Sequence, residues 1–156
     1  MHTVESLKAI LAQHDRPGLA LDIDDTLCHL GRKWYDTMVE IAGHPGLTYE
    51  EITHSHSGGF QHVPAWKGHP GIEAWIQKTL VDHEHYLGLE PIEQAREGVQ
   101  KISALVPVHA YITMRSLAVI DASHAWLRRH GFPDLPILSR PLDVPKERIH
   151  AWKAQA

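Results

Sequence analysis

Apolar and polar positions along this chain alternate between two periods. Val4, Leu7, Ile10 and Leu11 recur at helical spacing, so residues 3–14 read as an amphipathic helix, closed by Arg16-Pro17-Gly18. "LALDI" (19–23) is short and apolar after a break, the pattern of a buried parallel strand. From Gly31 the texture changes. "RKWYDTMVEIAG" reads as helix, residues 44–71 as a mostly irregular stretch rich in Gly, Pro and His, and residues 72–89 as helix again. After Pro91, Ala95, Val99, Ile102 and Leu105 form one helical stripe. "PVHAYIT" (107–113) predicts a strand. Residues 116–131 predict a helix with Ser116 as N-cap and Gly131 as stop, "LPIL" (135–138) predicts a strand, and residues 145–156 open a helix.

Strands alternating with helices predict an α/β fold: a three-layer sandwich around a parallel, Rossmann-like sheet. Residues 1–29 and 93–156 would form the α/β core, with 30–92 as a small, mainly helical insertion. Ligands of such sheets sit at the carboxyl ends of the strands. The aspartates of "DIDD" lie at the end of the first strand, and Thr113 and Arg115 at the end of the second, so both sets fall on one rim.

Composition changes this picture little. The 156 residues suit one domain, and a formal net charge of −4 argues against a nucleic-acid polymer as partner. Charge is uneven. From Trp126 onward, Arg128, Arg129, Arg140, Lys146, Arg148 and Lys153 face Asp134, Asp143 and Glu147. Cys28 is the single cysteine, which excludes an intrachain disulfide and fits a reducing cytoplasm. No run has the length of a membrane span, and the N-terminus lacks a signal-peptide core. Homo-oligomerisation stays open.

Residues two apart in extended chain point the same way, so Asp22 and Asp24 are candidates for a common site. One carboxylate can attack a phosphoryl group, and the other can move protons. Their mutual repulsion is relieved by a divalent cation or by protonation of one. Magnesium suits a site of one or two carboxylates plus substrate phosphate. Thr113 and a lysine would hold the phosphoryl oxygens, and Arg115 would either contact phosphate or form a salt bridge. Asp25 points away from its neighbours and reads as structural. Cys28 reads as inert packing. The 14 histidines include the alternating pairs His54/His56 and His83/His85, which lack the partners and spacing of structural zinc sites. They read as surface and insertion histidines, against an alternative in which they bind metal. Trp34, Trp66 and Trp75 read as packing rather than as platforms for a nucleobase.

"LALDIDDTL" resembles the first motif of the haloacid dehalogenase superfamily of phosphohydrolases, and "VHAYITMRS" its second. The segment 91–138 is similar to small members of the 5′-nucleotidase type. The resemblance implies Asp22 as nucleophile and magnesium ligand. It implies Asp24 as general acid/base, with its backbone carbonyl on the metal. Thr26 would set the turn, and Thr113 would bind the phosphoryl group with Lys153, or else Lys146. Residues 30–92 would be a cap. Asp24 separates the chain from the namesake dehalogenases, which lack it. The implied product is a magnesium-dependent phosphomonoesterase for a small phosphorylated metabolite, with a nucleotide as one candidate. The superfamily's fourth motif places one or two acids after the lysine. Only Glu147 follows Lys146 and no acid follows Lys153, so the expectation is a C-terminally incomplete core. The alternative is a catalytically inactive domain with this fold.

Overall fold

A computed structural model describes residues 9, 12, 16–55 and 59–140. The helices expected over 3–14 and 145–156 lie outside them. Three strands, β1 (Leu19–Leu21), β2 (Val108–Thr113) and β3 (Ile137–Ser139), form a parallel sheet in the order β1-β2-β3. Parallel neighbours need crossovers, and helices supply them. Between β1 and β2 run α1 (Leu30–Ala42), α2 (Tyr49–Ser55), a 3-10 turn (Phe60–His62), α3 (Pro70–Thr79), α4 (His83–Leu87) and α5 (Ala95–Leu105). Between β2 and β3 run a 3-10 turn (Leu117–Val119) and α6 (Ile120–Arg129).

The β1 strand departs from the expectation of burial. Leu19 is 42% exposed, whereas all three residues of β3 are buried. Among the described residues β1 pairs with β2 alone, so one of its edges lacks a ladder partner. Gly18, just before it, is fixed by sterics: a Cβ there would stand 2.1 Å from the His109 ring and 2.6 Å from the Pro107 carbonyl oxygen. The α5 stripe also holds only in part, since Val99 is buried while Ile102 and Leu105 are exposed.

Two apolar clusters form. The first joins Ile23, Leu27, Tyr111 and Ile137 of the sheet side to Tyr86, Leu89, Val99, Trp126 and Phe132. Trp126 donates its indole N–H to the Leu89 carbonyl at 2.7 Å and stacks on Phe132 at 5.5 Å. The second lies wholly in the insertion, around Tyr35, Met38, Ile52, Val63, Trp66 and Ile72. Tyr86 and Leu89, inside the expected 30–92 insertion, thus pack with the sheet rather than with the insertion's own core.

The stretch 44–71 is less irregular than its Gly and Pro content suggests. Thr48 and Glu51 close a capping box at the start of α2: the Thr48 hydroxyl accepts from the Glu51 N–H at 3.2 Å, and the Glu51 carboxylate accepts from the Thr48 N–H at 2.7 Å. The helix expected over 72–89 divides in two because Asp82 caps a new start, accepting from the N–H groups of Glu84 and His85.

Candidate active site

The chain leaves β1 through a tight loop. The Ile23 carbonyl collects the N–H groups of Leu27 at 2.8 Å and Cys28 at 3.3 Å, which folds the loop back on itself. Within the loop Asp25 takes a left-handed backbone (φ 55°), a conformation that Asp tolerates better than most residues. Its carboxylate accepts from the Gly31 N–H at 2.8 Å, satisfying one of the open donors at the start of α1. A Cβ on Gly31 would meet that carboxylate at 2.8 Å, so glycine is what lets Asp25 close in. Desolvation raises the Asp25 pKa above the usual carboxylate value. The Gly31 bond opposes the rise, and the charges of Asp24 and Asp22 add to it. The Asp25 carboxylate thus closes the start of α1.

Asp22 and Asp24 flank this turn. Asp22 accepts from the Ile23 N–H at 2.9 Å. Asp24 turns toward the end of β2. The Thr113 hydroxyl, 89 residues further along the chain, donates to its Oδ2 at 3.3 Å. Arg115 grips both of its oxygens, with Nε 3.0 Å from Oδ1 and 3.2 Å from Oδ2, and Nη2 2.7 Å from Oδ1. The predicted rim is therefore real for Asp24, Thr113 and Arg115, which form one hydrogen-bonded group.

Of the two roles that the sequence allowed Arg115, the structure places it in the salt bridge. Its side chain is 1% exposed against 16% for Asp24. The guanidinium stands 4.6 Å from the centre of the Tyr86 ring, gives Nη1 to the Ser123 hydroxyl at 2.9 Å, and brings Nη2 to 3.3 Å from the Cys28 sulfur. Burial works against its charge, but the Asp24 carboxylate outweighs this and raises its pKa. Cys28 does more than pack: its sulfur lies 3.5 Å from Asp24 Oδ1 and 3.6 Å from the Ile23 carbonyl oxygen. Desolvation, with the Asp24 charge beside it, pushes this thiol up to about 12, so it is held protonated. Sequence reading missed Tyr86, Ser123 and Ser139 as partners of Arg115, because none carries a motif and each arrives from a different element.

Lys146 and Lys153 lie outside the described residues, as does His56. His54 and His83 each place a ring nitrogen 2.6 Å from a backbone carbonyl oxygen, of Glu50 and Ala118 respectively. Among the described residues no three His, Cys, Asp or Glu side chains are grouped to hold a metal ion. The oxygens that the resemblance assigns to the ion, the Asp22 carboxylate and the Asp24 backbone carbonyl, are hard donors. Magnesium binds such donors, completing its shell with water and substrate phosphate. The donor set therefore fits that ion in kind.

In the insertion, Trp34 meets Trp75 edge-on at 5.3 Å, and Trp75 meets His85 at 6.0 Å. Trp34 Nε1 and His85 Nε2 are buried without a hydrogen-bond partner. His85 meets the Tyr86 ring edge-on at 5.3 Å, and that ring packs against Arg115. Burial, the largest influence on His85, lowers its pKa.

A parallel sheet with paired aspartates after one strand and a threonine closing the next defines a phosphohydrolase of the haloacid dehalogenase type. The chain belongs to the family described as 5′ nucleotidase, deoxy (pyrimidine), cytosolic type C, whose model matches residues 16–151. Members of this family are phosphatases that hydrolyse phosphoric monoesters. Searches of the curated proteins and of the solved structures returned no significant match. No helix among the described residues is long and apolar enough to cross a membrane.

Proposed function

We propose that this chain hydrolyses a nucleoside monophosphate through a phosphoryl-enzyme intermediate on Asp22. The observation that carries the reading is the Thr113–Asp24 hydrogen bond at 3.3 Å, which joins two motifs that lie 89 residues apart in sequence. An Asp22 oxygen attacks phosphorus as the bond to the ester oxygen breaks, and Asp24 protonates the departing alkoxide. Asp24 then takes a proton from the water that attacks the Asp22 phosphoanhydride, releasing inorganic phosphate. Thr113 holds a phosphoryl oxygen, and Lys153, or else Lys146, supplies positive charge to it. Asp22 and the Asp24 backbone carbonyl would hold a magnesium ion, whose charge would offset the crowding of phosphate and carboxylate. The helical insertion around Trp66 acts as the cap and excludes water from the closed site.

The nucleotide preference rests on the aromatic group of the insertion. Trp34 and Trp75 meet edge-on, and Trp34 Nε1 and the Nε2 of His85 beside Trp75 lack a partner, a setting that suits a flat heteroaromatic group with polar edges. The family's description points the same way and supports a cytoplasmic location. The test is phosphate release from deoxynucleoside 5′-monophosphates by the purified chain with added magnesium. Asp22→Asn should lower turnover by at least about a thousandfold, since removal of a nucleophile eliminates the covalent route. Chelation should abolish activity and magnesium restore it. Retained turnover in Asp22→Asn would overturn the mechanism, and a wild-type chain inert toward every nucleotide would favour the inactive-domain alternative.

A further inference from the structure

Arg115 is a buried cation that meets residues from several elements. Its Nη1 is held by Ser123 at 2.9 Å, and Ser123 in turn donates to the Val119 carbonyl at 2.9 Å. Its backbone is held on both sides: the N–H donates to the Thr113 hydroxyl at 3.2 Å, and the carbonyl accepts from the Ser139 hydroxyl at 2.6 Å. The Tyr86 ring packs against the guanidinium at 4.6 Å. A planar guanidinium fixed this way presents a rigid fork, which lysine could not reproduce.

The fork does not treat the two oxygens of Asp24 alike. Oδ1 receives the shortest contact, 2.7 Å from Nη2, together with Nε at 3.0 Å and the Cys28 sulfur at 3.5 Å. Oδ2 has only the longer contacts, 3.2 Å from Nε and 3.3 Å from Thr113. We propose that Arg115 is a positioning residue that anchors Asp24 through Oδ1, leaving Oδ2 as the oxygen that carries the proton to and from substrate. Ser123, Ser139 and Tyr86 keep the anchor in place. This rests on the acid/base role of Asp24 given above and assigns that role to one oxygen and one support.

The test separates aiming from folding by the leaving group. The p-nitrophenolate ion departs without a proton, whereas the alkoxide of a nucleotide requires one. Single-turnover release of p-nitrophenol from p-nitrophenyl phosphate is compared with single-turnover release of nucleoside from dTMP, with magnesium present. In Arg115→Lys, nucleoside release should fall about a hundredfold, within the range that a lost acid/base costs. Release of p-nitrophenol should stay within about threefold of the wild-type rate on the same principle. Ser123→Ala, which loosens the fork from behind, should show the same split at smaller amplitude, and it decides the matter if Arg115→Lys does not fold. Parallel loss on both substrates in the deciding variant would overturn the proposal. So would a weaker apparent affinity for both with rates unchanged, since that marks a phosphate contact. Asp24→Asn is the control. If it fails to split the substrates, the acid/base reading of Asp24 falls. If it splits them and Arg115→Lys does not, only the anchoring role falls.

Discussion

At the sheet rim, Arg115 commits Nε to Asp24, Nη1 to Ser123, and Nη2 to both Asp24 and Cys28, and nearly every polar atom around it is answered. In the insertion, Trp34 Nε1, His69 Nδ1 and His85 Nε2 are buried and unanswered. The two regions treat polarity in opposite ways. An unmet buried donor or acceptor costs about 1–3 kcal/mol, so three of them are a local cost that the rim does not carry. The rim is organised before substrate arrives, as stabilisation of developing charge requires. In the insertion three buried polar atoms stay without a partner.

The contrast extends to the cores and can be broken there with the largest effect. Trp126 sits in the cluster that joins the sheet to α4 and α6, and Trp66 sits in the insertion's own cluster. Truncation of a buried Trp to Ala costs about 3–5 kcal/mol in either place. The consequences should differ in extent. Trp126→Ala should lower hydrogen-exchange protection throughout β2, α6 and the insertion. Trp66→Ala should strip protection from α1, α2 and α3 while β2 and β3 keep theirs, because local units open separately when few contacts join them. Equal loss everywhere in Trp66→Ala would show one cooperative core and remove the basis for treating the insertion as a cap.

A smaller effect sharpens the same point. Trp34→Phe keeps the ring but deletes the unpaired N–H. If that group serves a nucleotide, the KM for dTMP should rise about tenfold, the worth of one hydrogen bond, while p-nitrophenyl phosphate hydrolysis is unchanged. The melting temperature should hold or rise, since an unsatisfied buried group has been removed. A lower melting temperature with unchanged KM would assign Trp34 to packing alone.

How much of this was legible beforehand follows from where the information sits. The rim was readable because strand ends fix position: β1 and β2 end where their apolar runs end, and Asp24 and Thr113 follow from that. The orientation of Arg115 was not. Its spacing puts it on the rim, but its direction depends on Ser123 from α6 and Tyr86 from α4, which only tertiary packing brings together. The insertion was harder. Gly and Pro masked α2, although the Thr48-x-x-Glu51 capping box was present in the sequence. The break at Asp82 was hidden by apolar periodicity on both sides of it. The exposure of β1 could not be read from its composition, because an apolar strand looks the same with one ladder partner as with two.

The smallest effect belongs to Asp25, where the rim meets the insertion. The residue is exposed overall, but its carboxylate turns in toward Gly31 and the hydroxyl end of Tyr49. Desolvation raises its pKa in the folded chain. Native protein therefore holds this proton more tightly than unfolded protein does. Its contribution to stability is complete below the ordinary carboxylate pKa of 3.8 and is lost as pH rises through the raised value. Asp25→Asn keeps the acceptor for the Gly31 N–H and tolerates the left-handed backbone, while removing the charge. The variant should therefore gain in urea midpoint relative to wild type at neutral pH, with the gap closing as the medium is acidified. The gain should be modest, because water screens a carboxylate this near the surface. A gap that stays constant with pH would mean that the Asp25 charge costs the fold nothing. Its hydrogen bond to α1 would then account for the residue by itself.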